Sequence, residues 1–517
     1  MTQAQGANSG AINGEPAKVI DRSDVAKGAG MAALSRLGVV VEVLAQPAYT
    51  WMFGLTGYGI YVVLWAAVNI IARFLDFAMG QVLQRLVPAT NDKVRAHAIV
   101  KFALLFATLM GAIAALIISL SADYVATHIS STPEQAKNMP RAIAIFAWTI
   151  PLSIFMEVAT ASARAMRAFG PELRLRVFWE QVARLIFAAG FFLIGFGFEG
   201  LLWAHVVSLS LIAILCVQLL GKYFDIKLLI SAPVSDVWRE IIHTGLAMMP
   251  SNLVRRAHND LPPILLNFLI PGAAGATAAG LFGIARKIAS IPLIVRQTFL
   301  YVLAPIASSV AAGNRRDIAP IYSFANHISL VISVPLALFL MMVAGDILTA
   351  FAPGAKAALT ILLILLAARA IEAVFGPATP IIEMIGHKAL PLINSAVGLI
   401  LWLVFAILWV PQYGLEGMAM AVAIPVVIMT LMAVFELWQS DGISPFDSGF
   451  ARGLIVTAIV CAILWGIGFL LQPFGGRIRA ITLFILFWPS VWLCLRFGLD
   501  NHAKEALGKA AKKLRLI

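Results

Sequence analysis

ALPLINSAVGLILWLVFAILWVPQYGLEGMAMAVAIPVVIMTLMAVFELW, residues 389–438, decides the fold. Its only charged residues are Glu416 and Glu436, and its apolar run is broken only around Pro411-Gln412-Tyr413-Gly414. A hydrocarbon core about 30 Å thick takes about 20 apolar residues of α-helix at 1.5 Å per residue, because unbonded backbone amides cannot face lipid. The stretch is long enough for two crossings, 389–410 and 414–438, joined by a tight turn.

The same pattern runs along the whole chain. Of 517 residues, 61% are hydrophobic and 12% charged, with mean hydropathy +0.91, far from the balance of a water-soluble domain. Apolar segments recur at 30–53, 57–86, 97–121, 141–162, 176–197, 200–220, 238–269, 275–304, 320–344, 357–384, 389–410, 414–438, 451–471 and 478–497. This spacing predicts an all-α integral membrane protein of about fourteen transmembrane helices. No loop between them is long enough for a catalytic domain.

Residues 1–28 are polar, and Lys18, Asp21, Arg22, Asp24 and Lys27 occupy the place where a cleavable signal would carry its apolar region. The amino terminus is therefore expected to be cytoplasmic. On that assumption the inner loops carry most of the basic residues, among them Lys93, Arg95, Arg164, Arg167, Arg174, Arg176, Lys222, Arg239 and Lys388, while the outer loops carry only Lys137, Arg141, Lys356, Arg477 and Arg479. Both termini then lie inside. Much of the +12 formal charge follows from this asymmetry, so it gives no reason to expect nucleic acid as a partner. The tail 498–517 either lies on anionic lipid as an interfacial helix or is solvated. Cys216, Cys461 and Cys494 fall inside apolar segments without paired spacing and read as small packing residues.

The quoted stretch also carries half of an internal repeat. Gly414-Leu415-Glu416-Gly417-Met418, opening the twelfth segment, matches Gly197-Phe198-Glu199-Gly200-Leu201, opening the sixth, and Gly59-Ile60-Tyr61 resembles Gly280-Leu281-Phe282 at a similar offset. We expect a cytoplasmic tail (1–28), two pseudo-symmetric six-helix lobes (29–222 and 238–438) joined by a linker (223–237), an added helix pair (451–497) and a basic tail. Six helices being an even number, both lobes enter from one side, the parallel-repeat arrangement common in secondary transporters.

Ionisable groups within spanning segments are costly and usually face a bundle interior or a wet cavity. Here they are mostly cationic: Arg36, Arg73, Arg255, Arg256, Arg286, Lys287, Arg296 and Arg369. Asn69, Arg73, Asp76, Gly80 and Gln84 recur at spacings of three and four and so share one helical face. Arg369, Glu372, Gly376, Pro380 and Glu383 repeat the device in the tenth segment. A cleft lined by Arg36, Arg73, Arg255, Arg286 and Arg369 suits an anionic substrate, because the guanidinium fork matches phosphate oxygens. The alternative is that Arg73 with Asp76, and Arg369 with Glu372, pair at i,i+3 and hold the fold. Asp260, four residues after Arg256, can neutralise it and leave Arg255 for ligand. Arg85, Arg184 and Arg296 are expected near the cytoplasmic ends, snorkelling to headgroups. Glu42, Asp76, Glu157 and Glu372, with His243 and His327, are candidates for coupling transport to a proton or ion gradient. No cofactor and no metal site is expected. Pro47, Pro151, Pro250, Pro292 and Pro380 are candidate bends.

Lys27-Gly28-Ala29-Gly30, Gly54, Gly57-Tyr58-Gly59-Ile60-Tyr61, Gly80 with Arg85, and Gly414-Leu415-Glu416-Gly417-Met418-Ala419 together resemble the polysaccharide transporter family. That group holds O-antigen and exopolysaccharide repeat-unit flippases, within the superfamily of lipid II flippases and multidrug and toxin extrusion transporters. The resemblance spans about 27–438. It implies two lobes in a V around a cationic cavity, and outward movement of undecaprenyl-diphosphate-linked oligosaccharide across the bacterial cytoplasmic membrane by alternating access. It implies that Arg36, Arg73 and Arg286 are cavity arginines. It also implies membrane lipids, pathway glycosyltransferases and a polymerase as partners. The competing readings are a lipid II flippase of the same superfamily, a drug-cation exporter, which needs cavity carboxylates rather than arginines, and a membrane glycan polymerase or ligase, which needs a large outer loop.

Overall fold

The computed structural model describes residues 22–90, 92–166, 168, 170–296, 318–384, 389–507, 511–512 and 514–516, with side chains described throughout these except at 22–40, 173, 250–257, 383–384, 389, 502 and 506. Among the described residues every regular element is helical and no strand occurs. Nine helical stretches there are long and apolar enough to cross a membrane.

Two of them, Val41–Ala89 and Leu390–Asp441, have 49 and 52 residues, too long for one crossing of about 20 residues. Each turns at a glycine. Gly54 has φ 73° and Gly414 φ 54°, conformations that a Cβ disfavours, so the chain reverses where the sequence pattern predicts the first and eleventh segments to end. Helix also occupies the described parts of the predicted fifth, seventh and eighth segments: Leu173–Trp179 leading into Glu180–Leu193, Trp238–Leu269, and Ala273–Ala289. Residues 297–317, which would complete the eighth, lie outside the described residues.

Helix starts at the polar loops are capped. Asp92 accepts from the Val94 N–H at 2.8 Å, and Thr132 and Gln135 form a reciprocal capping box with Pro133 in the first turn. Leu105, Leu116, Ile117, Ile459, Trp465, Ile481, Phe484 and Trp488 are exposed, a distribution that only lipid tolerates over so many turns. The chain is a multi-pass membrane protein.

The two halves meet on glycine. A Cβ at Gly59 would stand 1.8 Å from the Ala276 carbonyl oxygen, and one at Gly280 would stand 3.1 Å from the Gly59 Cα. Such backbone approach needs small residues, as between membrane helices generally. Thr56 and Thr277 share a hydrogen bond beside it at 3.2 Å. Nearby, Asn267, 2% exposed, accepts from the Ser130 N–H and donates to the Ser130 carbonyl, each at 3.0 Å. At the opposite helix ends Arg95 pairs with Glu240 at 2.6 Å.

Candidate functional site

The predicted second segment does not run unbroken to residue 86. It stops at Leu75 and resumes at Met79, with Phe77 (φ 47°) and Ala78 (φ 56°) both left-handed without being glycine. Asp76 stabilises the break by accepting from the Ala78 N–H at 2.8 Å. Strain of this kind costs about 1–3 kcal/mol per residue and collects at functional sites. The single helical stripe expected from Asn69 to Gln84 is therefore interrupted, yet its polar members still gather around one cavity system.

That system has a main cavity of about 610 Å³, walled by Arg73, Asp76, Gly80 and Gln84 of the second segment, Glu157 and Arg164 of the fourth, and Glu172, Arg176, Glu180 and Arg184 around the fifth. Leu173–Trp179 is a π-helix, whose wider turn presents Arg176 to the cavity. Glu157 is the hub. It accepts from Arg73 at 3.1 Å, Arg164 at 3.5 Å and Arg176 at 2.5 Å, while Glu172 pairs with Arg164 and Arg73 reaches Asp76 at 3.5 Å. Arg184 donates to Glu180 and, at 3.1 Å, to the Tyr61 hydroxyl, whose oxygen lies 3.0 Å from His205 Nδ1. Its guanidinium also stands over Trp65 at 5.9 Å.

A second cavity of about 210 Å³ shares Glu42, Trp65, Gln181 and Arg184 with the first and is closed on its far side by Asp260, Gly283, Arg286 and Lys287 of the second half. Lys287 pairs with Glu42. Arg286 carries one guanidinium nitrogen, Nη1, that is buried without a hydrogen-bond partner.

The expected bare cationic cleft is corrected by this geometry. The larger cavity holds four guanidinium groups (Arg73, Arg164, Arg176, Arg184) and five carboxylates (Glu42, Asp76, Glu157, Glu172, Glu180), so its charge is compensated. Only the smaller one has an excess of cations, Arg184, Arg286 and Lys287 against Glu42 and Asp260. Of the other predicted residues, Arg369 pairs with Glu372 at 2.5 Å, and Arg296 joins the same carboxylate at 3.2 Å, so neither is a solitary cavity charge. The side chains of Arg36 and Arg255 lie outside the described residues. Of the coupling candidates, Glu42, Asp76 and Glu157 line the cavities, Glu372 is held by its two arginines, His243 is exposed, and His327 bonds to Asp447 at 2.9 Å away from the crevice.

Four arginines stand where sequence reasoning did not put them. Arg164 and Arg176, assigned to a basic inner loop, line the cavity. Arg184 and Arg296, assigned to headgroups, are held in internal ion pairs. A signal was present for some: Glu157 and Arg164 are two turns apart on one face, and Glu180 and Arg184 one turn apart. Tyr61 stood out in the sequence only as part of the glycine motif at 57–61, not as a site residue, and nothing marked the buried His205. Among the described residues no cluster of three or more histidine, cysteine or acidic side chains could hold a metal.

Comparison with known proteins agrees with this architecture. A solved structure of the lipid II flippase MurJ in an inward closed conformation superposes with TM-score 0.72 at 11% identity, over 89% of this chain and 97% of that one. An inward-facing multidrug resistance MATE family transporter of the MOP superfamily gives 0.62 at 17% identity, over 78% and 92%. A Vibrio cholerae MATE transporter gives 0.58 at 15%, over 81% and 98%. None of the curated proteins compared matches the chain. The family model described as polysaccharide biosynthesis protein matches residues 53–352, more than half of the sequence and the part that contains most of the residues lining both cavities. The fold is that of the MurJ and MATE transporters, and the chain belongs to the polysaccharide biosynthesis protein family.

Proposed function

We propose that the protein is a flippase for anionic lipid-linked oligosaccharides of the undecaprenyl-diphosphate type, moving repeat units across the bacterial cytoplasmic membrane, both termini inside, for surface polysaccharide synthesis. The observation that carries this is Arg286, on a wall built from both halves, with a buried guanidinium nitrogen left without a partner. An unbonded buried donor is costly, and a phosphate oxygen is its natural partner. Gln46, Asn69 and Gln181 beside Tyr49, Tyr58 and Trp65 supply the hydrogen-bonding and aromatic surface that sugars use.

Cationic cargo fits less well. Each of the five carboxylates in the larger cavity already has a basic partner, so none is left for a drug cation. Family membership supports the polysaccharide assignment, and the MurJ likeness favours lipid II as the second candidate cargo within the same diphosphate class.

The test is flipping of a fluorescent lipid-linked diphosphate oligosaccharide by the purified protein in proteoliposomes. Arg286→Ala should lower the rate about 10-fold to 100-fold, the scale of losing a charge-assisted pair of 1.5–3 kcal/mol. Arg286→Lys should recover only part, since an ammonium cannot bind bidentately. Wild-type flipping by Arg286→Ala would remove the basis for the assignment, and preference for lipid II over repeat-unit lipids would select the second cargo.

A further inference from the structure

Three arginines of the larger cavity converge on one carboxylate. Arg73, Arg164 and Arg176 all bond to Glu157, and none of the four side chains is more than a quarter exposed. Asp76 also pairs with Arg73, and Glu172 with Arg164 and Arg176, yet Glu157 joins all three arginines; as a structural device such a buried network is rarely better than an apolar core of the same shape. As a binding device it has a clear use. A guanidinium cluster without an anion would be strongly destabilised in the membrane between transport cycles, whereas one already holding an internal anion is not.

We propose that Glu157 is a resident counter-anion that occupies the diphosphate site when no cargo is present, and that the diphosphate of the substrate displaces it from Arg73, Arg164 and Arg176. The inference rests on the flippase reading and deepens it by adding these three arginines, as phosphate donors, to Arg286 of the adjoining cavity, which shares Arg184 with theirs. Three features of the cavity support it. The donors are planar forks that suit a diphosphate better than a single carboxylate, because the ligand offers more oxygens and more charge. The surrounding space, about 610 Å³, accommodates a headgroup without rearranging the helices. Gly80 flanks Glu157, a Cβ there falling 3.6 Å from Oε1, so no larger side chain crowds the carboxylate on that side. A tethered competitor also lowers the affinity for cargo, as an intramolecular partner at high effective concentration does, and this keeps the diphosphate from being held too tightly to leave.

Binding of inorganic pyrophosphate and of geranyl diphosphate to the purified, detergent-solubilised full-length protein tests the proposal. Glu157→Gln removes the competitor and should tighten the apparent Kd for both probes by about tenfold or more, within the usual range for coupled sites. Glu157→Asp keeps the charge, and with it the fold, while shortening the arm. It should tighten both by a smaller factor. Equal or weaker binding in both variants would overturn the proposal. So would a gain confined to geranyl diphosphate, because the change would then lie at the lipid and not at the phosphates. If the wild-type protein flips lipid-linked oligosaccharide and these variants show no gain, the counter-anion idea fails and the flippase reading stands. If the wild-type protein flips no such lipid, the flippase reading itself fails.

Discussion

Thr56 and Thr277 share a hydrogen bond at 3.2 Å although 221 residues separate them, the same separation that relates Gly59 to Gly280 in the sequence repeat. The two residues matched at the repeat's offset therefore meet each other in space. Gly59 and Gly280 meet one turn further along the same two helices. The charged crevice begins deeper on those helices, at Tyr58, Tyr61 and Gly283.

Cysteines at this contact should report on it directly. In a Thr56→Cys/Thr277→Cys protein we expect an oxidant to form a disulfide in high yield, read as a mobility shift on gels, and to stop transport until reductant is added. Failure to cross-link in membranes would show that the two helix ends are apart in the resting protein.

Gly59→Val places a branched side chain against the Ala276 backbone, where even a Cβ would stand 1.8 Å from the carbonyl oxygen. Overpacking costs about 1–3 kcal/mol or more when backbone must move. A lowered melting temperature in detergent, together with loss of the Thr56–Thr277 cross-link, is the expected pair of results.

Tyr61→Phe removes the hydroxyl that accepts from Arg184 and faces His205 Nδ1. Arg184 can only donate, so the tyrosine proton is free for the imidazole. Leaving the Arg184 Nη1 and the His205 Nδ1 without this partner should cost about 1–3 kcal/mol each, seen in thermal unfolding. Because Arg184 also loses its orientation over both cavities, transport should fall by more than the loss of folded protein explains.

The added helix pair should be pH-sensitive through Asp447, which caps the helix Ser448–Leu470 and lies outside the spans. Burial works against its charge, but bonds from the Ser323 hydroxyl at 2.5 Å, the Phe450 N–H at 2.7 Å and His327 hold its carboxyl below the ordinary value. A depressed carboxyl stabilises the fold above its unfolded pKa of about 3.9, and that contribution is lost as pH falls through the lower folded value. Asp447→Asn should therefore melt earlier than wild type at pH 7, by about 1 kcal/mol from the loss of the charge-assisted bonds to Ser323 and His327. The difference should shrink as both proteins are taken through the acidic range, and a constant difference would assign the effect to packing instead.

The membrane class, the helical architecture and the turns at Gly54 and Gly414 were legible because they depend on local quantities. Apolar run length reports the solvent, and a glycine between two runs reports a reversal. Gly59 and Gly280, matched in the sequence repeat, each stand at a close backbone approach that only a glycine allows. Glu42, Asp76, Glu157 and Arg286 could be singled out as unusual charges, each being an ionisable group in an apolar run.

What those charges do was decided by the tertiary structure. Glu157 meets Arg73 across 84 residues, and Glu42 meets Lys287 across 245, so helical periodicity, which relates neighbours three or four apart, is blind to both pairs. Arg164 and Arg176 read as loop charges, but Arg164 ends the helix Thr149–Ala165 at the cavity wall and Arg176 sits on the π-helix Leu173–Trp179 that faces it. The sequence by itself determined which groups would have to leave water. Only the packing of helices distant along the chain determined which of them neutralise one another, because Coulomb energy depends on separation in space and on the local dielectric, and neither is written in residue order.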